Sequence, residues 1–495
     1  MTPKRKGDEL EESTYLTTLG TYFAYIVLYL IGTLRESIWG EGPLNGSSEA
    51  FREQNRAGYT HLFSKFENFY VRNVFRRLRG MFFRPIVSVP GAKVNLMEIK
   101  SEDHNWSFAL QKDQVSEFIN FGSYNYLGFA ENTGPVTESA IATTTRNGLT
   151  NCSPRHELGS LQIHRELENT VSEFLGTDDA ITVGMGFATN TLNMPTLWCK
   201  GTLVLSDEKN HASLILGLRL SDAVVKVFKH NNIDNLEYVL RKSILHGHPK
   251  TRRPWKKIII VVEGVYSMEG TIVKLPEMVK LKKKYGAYIY LDEAHSVGAM
   301  GPNGRGVVDY YGLSPNDIDI MMGTFTKSFG AAGGYIAGSK ELIDYLRVHS
   351  QSYIYPPSVS PPVARQIISS MREIMQGDGL KRIEQLSRNS RYFRQCLQNL
   401  GCVVYGHDDS PVVPMMTFSP VKINELVLNL HARKIATVGV GFPATNMTEE
   451  RARFCLSAGH TKEMIDAFME ILAEEMVKCN VPLSRRQIRK TIVVY

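Results

Sequence analysis

Cysteine is sparse in this chain of 495 residues: Cys152, Cys199, Cys396, Cys402, Cys455 and Cys479 are scattered without a CxxC pair. That argues against a disulfide framework and a thiolate metal site, so no metal is expected, and the catalytic part is expected to face a reducing compartment. Excess charge of one sign is also lacking. A balance of +7 spread over 57 basic and 50 acidic residues makes no case for a nucleic-acid partner. Internal repeats and long low-complexity tracts are absent. What remains, a chain with 43% hydrophobic residues, can bury a large core in two or three subdomains.

One hydrophobic run is long. Ser13 to Leu34 contains no charged residue, and at about 1.5 Å per residue a helix of that length approaches the roughly 30 Å of a bilayer core. Threonines and tyrosines dilute it, so it is expected either to cross a membrane or to lie tilted at its surface, a buried core helix being the alternative. A signal peptide is not expected, given the length of the run and Arg35-Glu36-Ser37 where a small-residue cleavage site would stand. Acidic Asp8, Glu9, Glu11 and Glu12 fit a mitochondrial presequence poorly. Basic residues flank both ends (Lys4-Arg5-Lys6 and Arg35), so charge leaves the orientation open. A Gly/Ser/Glu-rich linker, roughly 40–54, precedes interleaved aromatics and arginines from Phe63 to Arg84. Their spacing suggests a basic amphipathic helix ending before Pro85, lying either on an anionic membrane or against the body of the protein.

From Phe121 onward short apolar runs alternate with helical patterns: 180–183, 203–205, 224–228, 258–262, 288–291, 318–322 and 335–337. This order predicts an α/β fold, a mostly parallel sheet flanked by helices. After about Pro361, long helices and short strands near 412–418 and 436–440 predict a smaller C-terminal α+β domain. The expected divisions are 1–60 (membrane segment and linker), 61–150 (N-terminal arm), 151–365 (large α/β domain) and 366–495 (C-terminal domain and basic tail). A cleft between the last two would hold the ligands.

Thirty-five positions separate Asp292, in Tyr-Leu-Asp-Glu-Ala-His, from Lys327, in Gly-Thr-Phe-Thr-Lys-Ser-Phe-Gly. Each follows an apolar run, which places a carboxylate and an amine side by side at the C-terminal edge of a sheet, where open α/β folds bind ligands. Such a lysine can form a Schiff base with an aldehyde cofactor while the carboxylate pairs with a protonated pyridine nitrogen, the arrangement of a pyridoxal phosphate (PLP) site. A lysine with the ordinary pKa of about 10.4 costs roughly 4 to 5 kcal/mol to deprotonate at neutral pH, so a buried pocket has to lower that cost.

Other residues point to the same cleft. Gly184 to Asn190 follows a strand and opens a helix, which suits a phosphate through free N–H groups at Gly186 and Phe187. Thr324 could add a hydroxyl contact or be an ordinary strand threonine. His211 sits at a helix start, able to lie on a cofactor ring or simply to cap the helix. Arg453 alternates into a buried strand, where a guanidinium requires a carboxylate, from a ligand or from an internal salt bridge.

Together these residues resemble the α-oxoamine synthases, PLP-dependent transferases of fold type I, the aspartate aminotransferase-like fold. The resemblance runs from about Phe66 to Asp466 and rests on Gly122-Ser123-Tyr124-Asn125-Tyr126-Leu127-Gly128, Gly264-Val265-Tyr266-Ser267-Met268-Glu269-Gly270, Asp292 to Ser296 and Gly323 to Gly330. Lys229-His230-Asn231-Asn232 and Gly439 to Thr445 are similar to the family's eukaryotic long-chain-base catalytic subunits, which also carry a hydrophobic N-terminus. The resemblance implies that Lys327 carries the cofactor, Asp292 pairs with its pyridinium, His211 stacks on the ring, and His295 and Ser267 stand near its phenolic oxygen. It also implies that Gly186, Phe187 and Thr324 hold the phosphate, and that Arg453, with Tyr124 and Asn125, binds the substrate.

The implied reaction joins L-serine to a long-chain acyl-CoA, releasing CO2 and CoA to give 3-ketodihydrosphingosine. The implied partner is a homologous subunit 1 lacking the lysine, as a heterodimer with small membrane regulators. The implied location is the endoplasmic reticulum membrane, with the catalytic domain cytosolic. A synthase of the 5-aminolevulinate or 8-amino-7-oxononanoate type would not need the Ser13 to Leu34 run, and a noncatalytic scaffold subunit would lack Lys327. One departure stands out: Tyr355-Pro356-Pro357-Ser358 has prolines where relatives carry alanine and then threonine or serine, and Pro357 removes a hydroxyl and an N–H that could reach a phosphate.

Overall fold

The structure is a computed structural model that describes residues 11–39, 69–76, 78, 80, 83–103, 107–486 and 495. The linker at 40–54, the motif residues 66–68 and the basic tail at 487–494 lie outside the described residues, as does much of the arginine-aromatic stretch.

The first two strands, β1 (Lys93–Lys100) and β2 (Ala109–Asn120), form an antiparallel hairpin with a register shift between Met97 and Glu98. Seven strands then build the central sheet: β3 (Asp179–Val183), β4 (Thr202–Asp207), β5 (Val224–Phe228), β6 (Lys257–Glu263), β7 (Tyr288–Asp292), β8 (Ile320–Thr324) and β9 (Gly334–Gly338). Their spatial order is β3-β9-β8-β7-β6-β4-β5. Only β9 runs against its neighbours β3 and β8, so the mostly parallel sheet expected from the alternating runs is what forms.

These strands read as continuous apolar runs because helices cover both faces. Along β6 the pleat sends Ile260 and Val262 to one side, against Leu236, Leu240 and Met278 of helices Ile233–His246 and Leu275–Tyr285. Ile259 and Val261 go to the other, against Met194, Leu214 and Leu346 from helices Gly186–Leu197, Ala212–Leu220 and Lys340–His349. At about 1.5–3 kcal/mol for each fully buried aliphatic side chain, this double coverage fixes the strand register and hence what stands at the strand ends.

Beyond helix Pro361–Gln376, a second antiparallel sheet consists of β10 (Val412–Met416), β12 (Val438–Val440) and β13 (Arg451–Cys455), with β13 in the middle. The two-residue strand β11 (Ile435–Ala436) instead joins the N-terminal hairpin, pairing parallel to Ile119 and Asn120.

Helix Tyr15–Trp39 is long and apolar enough to cross a membrane. It is mostly exposed, which removes the core-helix alternative, but one stripe is docked. Thr21 donates to the Phe418 carbonyl at 3.0 Å, the Tyr25 hydroxyl donates to Glu450 at 3.0 Å, and Tyr29 meets Phe69 with ring centroids 4.7 Å apart. Of the aromatic-arginine stretch, residues 69–76 are helical, with a π turn at Val71–Phe75. Phe69, Tyr70 and Val74 are buried there and the Tyr70 hydroxyl donates to the Phe442 carbonyl at 2.9 Å, so this part packs on the protein body.

Candidate active site

Five parallel strands end on one edge of the sheet, and the chain beyond each carries a candidate side chain: Gly186 and Phe187 after β3, His211 after β4, Glu263 and Ser267 at and after β6, Asp292 and His295 at and after β7, and Thr324 and Lys327 at and after β8. Carboxyl-end convergence is the general ligand position in such sheets. A cavity of about 580 Å³ lined by Trp198, Lys257, Tyr288, Leu342 and Tyr345 opens at the opposite strand ends, away from these residues.

Asp292 is buried and held by two donors, the Ala294 N–H on Oδ1 and the Asn190 amide on Oδ2, both at 2.9 Å. Asn190 is itself fixed, donating to Ser213 Oγ at 3.0 Å and accepting from the Tyr290 hydroxyl at 2.6 Å. Asp292 is thereby aimed before any ligand arrives. Beside it in the β6–β7 register stands Glu263, whose carboxyl burial, aided by the Asp292 charge, pushes well above the usual carboxylate range. Glu263 accepts from the His211 main-chain N–H.

Burial brings the Lys327 amine down to about 8, with the Arg453 charge helping and the Asp292 and Glu263 carboxyls pulling the other way. Its Nζ lies 5.7 Å from the centroid of the Tyr124 ring.

His211 starts helix Ala212–Leu220 and caps it, Nδ1 accepting from Ser213 N–H at 3.2 Å. Capping and a place in the cleft coexist, for the ring stands 6.0 Å from that of Phe187. Burial, and secondarily Lys327, lower its pKa against the pull of Asp292. His295 is buried, with Nδ1 2.8 Å from the Tyr126 hydroxyl. Burial and the charges of Lys327, Arg453 and His211 hold it well below the usual imidazole range. Ser267 is buried in the turn after β6.

Arg453 comes from the other sheet, from β13. No carboxylate among the described residues pairs with it. Instead the guanidinium lies 4.8 Å from the Tyr124 ring centroid and 3.8 Å from Met268 Sδ, and its buried Nε lacks a hydrogen-bond partner. Of the two openings the sequence left, the internal salt bridge is absent here. Tyr124 therefore sits between the lysine, the arginine and His295, the last with ring centroids 5.0 Å apart. Asn125 differs: its amide donates to the Pro90 carbonyl at 3.0 Å and accepts from the Ala130 N–H at 3.1 Å, so both ends serve its own loop.

The residues fit a phosphorylated pyridine aldehyde. At Gly186, the first residue of helix Gly186–Leu197, an added Cβ would come within 2.6 Å of Thr324 Oγ1, so only glycine lets the N–H groups and that hydroxyl converge. Thr324 Oγ1 meanwhile donates to the Gly333 carbonyl at 3.0 Å. The amine, the oriented carboxylate and the buried guanidinium complete a donor set for aldehyde, pyridine nitrogen and substrate carboxylate. Sequence reading missed Asn190, Glu263 and Tyr126; only the position of Asn190 one turn after Gly186 in the helix that opens the site hinted at its role. Pro357 forms an isolated bridge with Pro154, and Ser358 and Ser360 bond to Asn151 and Leu149, so this departing segment is anchored to the 149–154 loop.

A lysine and a carboxylate at these strand ends, on this sheet, define a PLP-dependent transferase of fold type I. The pattern of the aminotransferase class I and II family matches residues 116–472. Serine palmitoyltransferase 3 of Homo sapiens is 49% identical over 473 residues, 94% of this chain and 85% of that protein. Serine palmitoyltransferase 2 of Caenorhabditis elegans is 50% identical over 471 residues, 94% of this chain and 84% of that protein. A solved structure of serine palmitoyltransferase with PLP superimposes with a TM-score of 0.74 at 27% identity, covering 86% of this chain and 100% of the other. The chain belongs to the serine palmitoyltransferase family.

Proposed function

We propose that this chain is a catalytic subunit that condenses L-serine with a long-chain acyl-CoA, releasing CO2 and CoA to give 3-ketodihydrosphingosine. The observation that carries the reading is a buried lysine with a lowered pKa beside an oriented Asp292, both facing an arginine without a carboxylate partner.

PLP, when bound, supplies an electron sink for negative charge at the serine Cα. Lys327 would hold the cofactor aldehyde, and its Nζ is placed to take the serine Cα proton, for which a free-amine population at neutral pH is needed. Asp292 would pair with the pyridine nitrogen and keep it protonated. His211 would stack on the ring face, and His295, with Ser267, would stand by the phenolic oxygen. Gly186, Phe187 and Thr324 would hold the phosphate. Arg453 and Tyr124 fix the serine carboxylate until it leaves as CO2, and Asn125 shapes the loop that carries Tyr124. A carboxylate clamped at one end and a Cα held over the lysine at the other restrict which bond of serine is broken.

The divisions 1–60, 61–150, 151–365 and 366–495 belong to this proposal, as does a heterodimer with a homologous chain lacking the lysine. Exposed Leu149, Leu158, Met185 and Tyr355 support a partner surface near the site. The helix Tyr15–Trp39 supports attachment to a membrane, assigned here to the endoplasmic reticulum with the catalytic domain cytosolic and small membrane regulators as further partners.

The test is the visible absorption of the purified chain with its candidate partner, titrated with serine, glycine and alanine. A cofactor band that responds saturably to serine and is lost in Lys327→Ala is expected. Arg453→Ala should raise the serine KM by about tenfold or more while changing kcat less, the loss of a charge-assisted contact. No band with the partner present would refute the assignment.

A further inference from the structure

We infer that Lys209 and Glu449 are positioning residues: with Glu269 and Arg451 they form an alternating ring of charge that fixes Arg453 against the turn carrying Ser267. The inference rests on the roles proposed above for Ser267 and Arg453, and it names the residues that set the spacing between them.

Four side chains make the ring. Lys209 Nζ lies 3.4 Å from Glu269 Oε1 and 3.4 Å from Glu449 Oε2. Arg451 closes it, 3.0 Å from Glu449 Oε2 and 3.7 Å from Glu269 Oε1. Cation and anion alternate, so each member has two neighbours of opposite sign and the set carries no net charge. Arg451 and Glu269 are buried, where an unbalanced charge is costly. Against the upward push of burial, the Asn446 amide and the charges of Lys209 and Arg451 hold the Glu449 carboxyl below its usual range.

Three of the four stand two residues from a site residue: Lys209 from His211, Glu269 from Ser267 and Arg451 from Arg453. In strand β13 that separation puts both arginines on one face. Met268 meets them both, its carbonyl accepting from Arg451 Nη1 at 2.8 Å and its Sδ lying 3.8 Å from Arg453 Nη1. The ring therefore ties the segments that follow β4 and β6 of the central sheet to β13 of the second sheet. The turn has no slack beside Glu269, for at Gly270 an added Cβ would come within 2.7 Å of the Val412 carbonyl oxygen, in the strand paired with β13. Arg453 makes no ion pair of its own among the described residues, so β13, Met268 and the Tyr124 ring set its place. Lys209 is partly exposed, and without it each carboxylate still has Arg451. Its removal thus loosens the link between the three segments without stranding a buried charge.

The test follows the serine-dependent change of the cofactor band in the chain with its partner. Lys209→Met should raise the Kd for serine about threefold to tenfold, as expected for contacts within one charge network, while PLP retention stays as in the wild type. Lys209→Arg keeps the charge and should bind serine as the wild type does. Glu449→Gln should weaken binding as Lys209→Met does, and K209M/E449Q, which restores the balance of charge, should be no weaker than either single variant. Wild-type affinity in both single variants, effects that multiply in the double variant, or equal losses in Lys209→Arg and Lys209→Met would overturn the inference. A network that only stabilised the fold would lower the denaturation midpoint and leave the serine affinity of folded molecules unchanged. A second readout needs no cofactor: in the apoprotein, hydrogen exchange in the turn at 264–271, where the Gly270 N–H donates to the Tyr266 carbonyl at 2.8 Å, should quicken in Lys209→Met and not in Lys209→Arg. Unchanged exchange in Lys209→Met also overturns the inference. An absent cofactor band in the wild type refutes the catalytic reading, whereas a normal band with unaltered serine affinity in the variants refutes only the positioning role.

Discussion

The reactivity of Lys327 can be tested without substrate. Burial brings its amine from 10.5 to about 8, which at neutral pH raises the free-amine fraction from about one in 3000 to about one in ten. Cofactor capture by the apoprotein depends on that fraction. Stopped-flow absorbance after mixing with PLP should therefore give a rate that rises with pH and levels above about 8, once the cofactor's own ionisation has been measured in free solution and divided out. The neighbours set the sign of further shifts. Arg453→Leu removes a positive charge and should move the inflection up; Asp292→Asn removes a negative one and should move it down. Glu263→Gln should move it down as well, but by less, because Glu263 is the weaker of the two carboxyls that oppose the shift. A wild-type inflection at 10 or above, or an upward shift in Asp292→Asn or Glu263→Gln, would refute the argument that burial activates the lysine against the pull of these two carboxyls.

Asn190→Ala removes a donor from Asp292 and strands the Tyr290 hydroxyl; a stability loss of about 2–5 kcal/mol in denaturant titrations is expected, together with weaker PLP retention. Gly186→Ala puts a methyl group 2.6 Å from Thr324 Oγ1, and PLP affinity followed by fluorescence quenching should fall by about tenfold or more while the melting temperature moves little. Arg155 and Glu168 form a buried ion pair at 2.6 Å. Arg155→Ala leaves the carboxylate buried with Arg347 3.5 Å away, so the cost should fall near the lower end of about 3–5 kcal/mol, read by guanidinium unfolding.

The strands that carry the site were legible because a strand covered on both faces is written as an unbroken apolar run, as in Ile258 to Val262. Other features had no local signal. The reversed direction of β9 leaves no trace in Gly334–Gly338, since five apolar residues read alike either way. The hairpin strand β2 is mostly exposed and polar, so neither alternation nor a run announced it. Its pairing with Ile435 and Ala436 spans more than 300 residues. Lys327 and Asp292 could be paired from sequence because Asp292 ends its strand and Lys327 follows closely on the end of the next. Asn190 could not, since a polar residue inside a helix gains its meaning from a carboxylate 102 positions away. Thr324 and His211 were ambiguous for a physical reason: each makes a local bond, to Gly333 and to Ser213, that an ordinary threonine or histidine would also make.

Because the site residues follow the ends of β3, β4, β6, β7 and β8, no fragment of the sheet holds the cofactor's whole set of contacts. Capture of PLP is then a gauge of completed folding, and each molecule bound withdraws native chains from the unfolding equilibrium by mass action. Fraying of any one of these strands would loosen the cofactor before the rest of the core is lost. On heating, the visible band should therefore fade no later than the far-ultraviolet signal, and added PLP should raise the temperature of both.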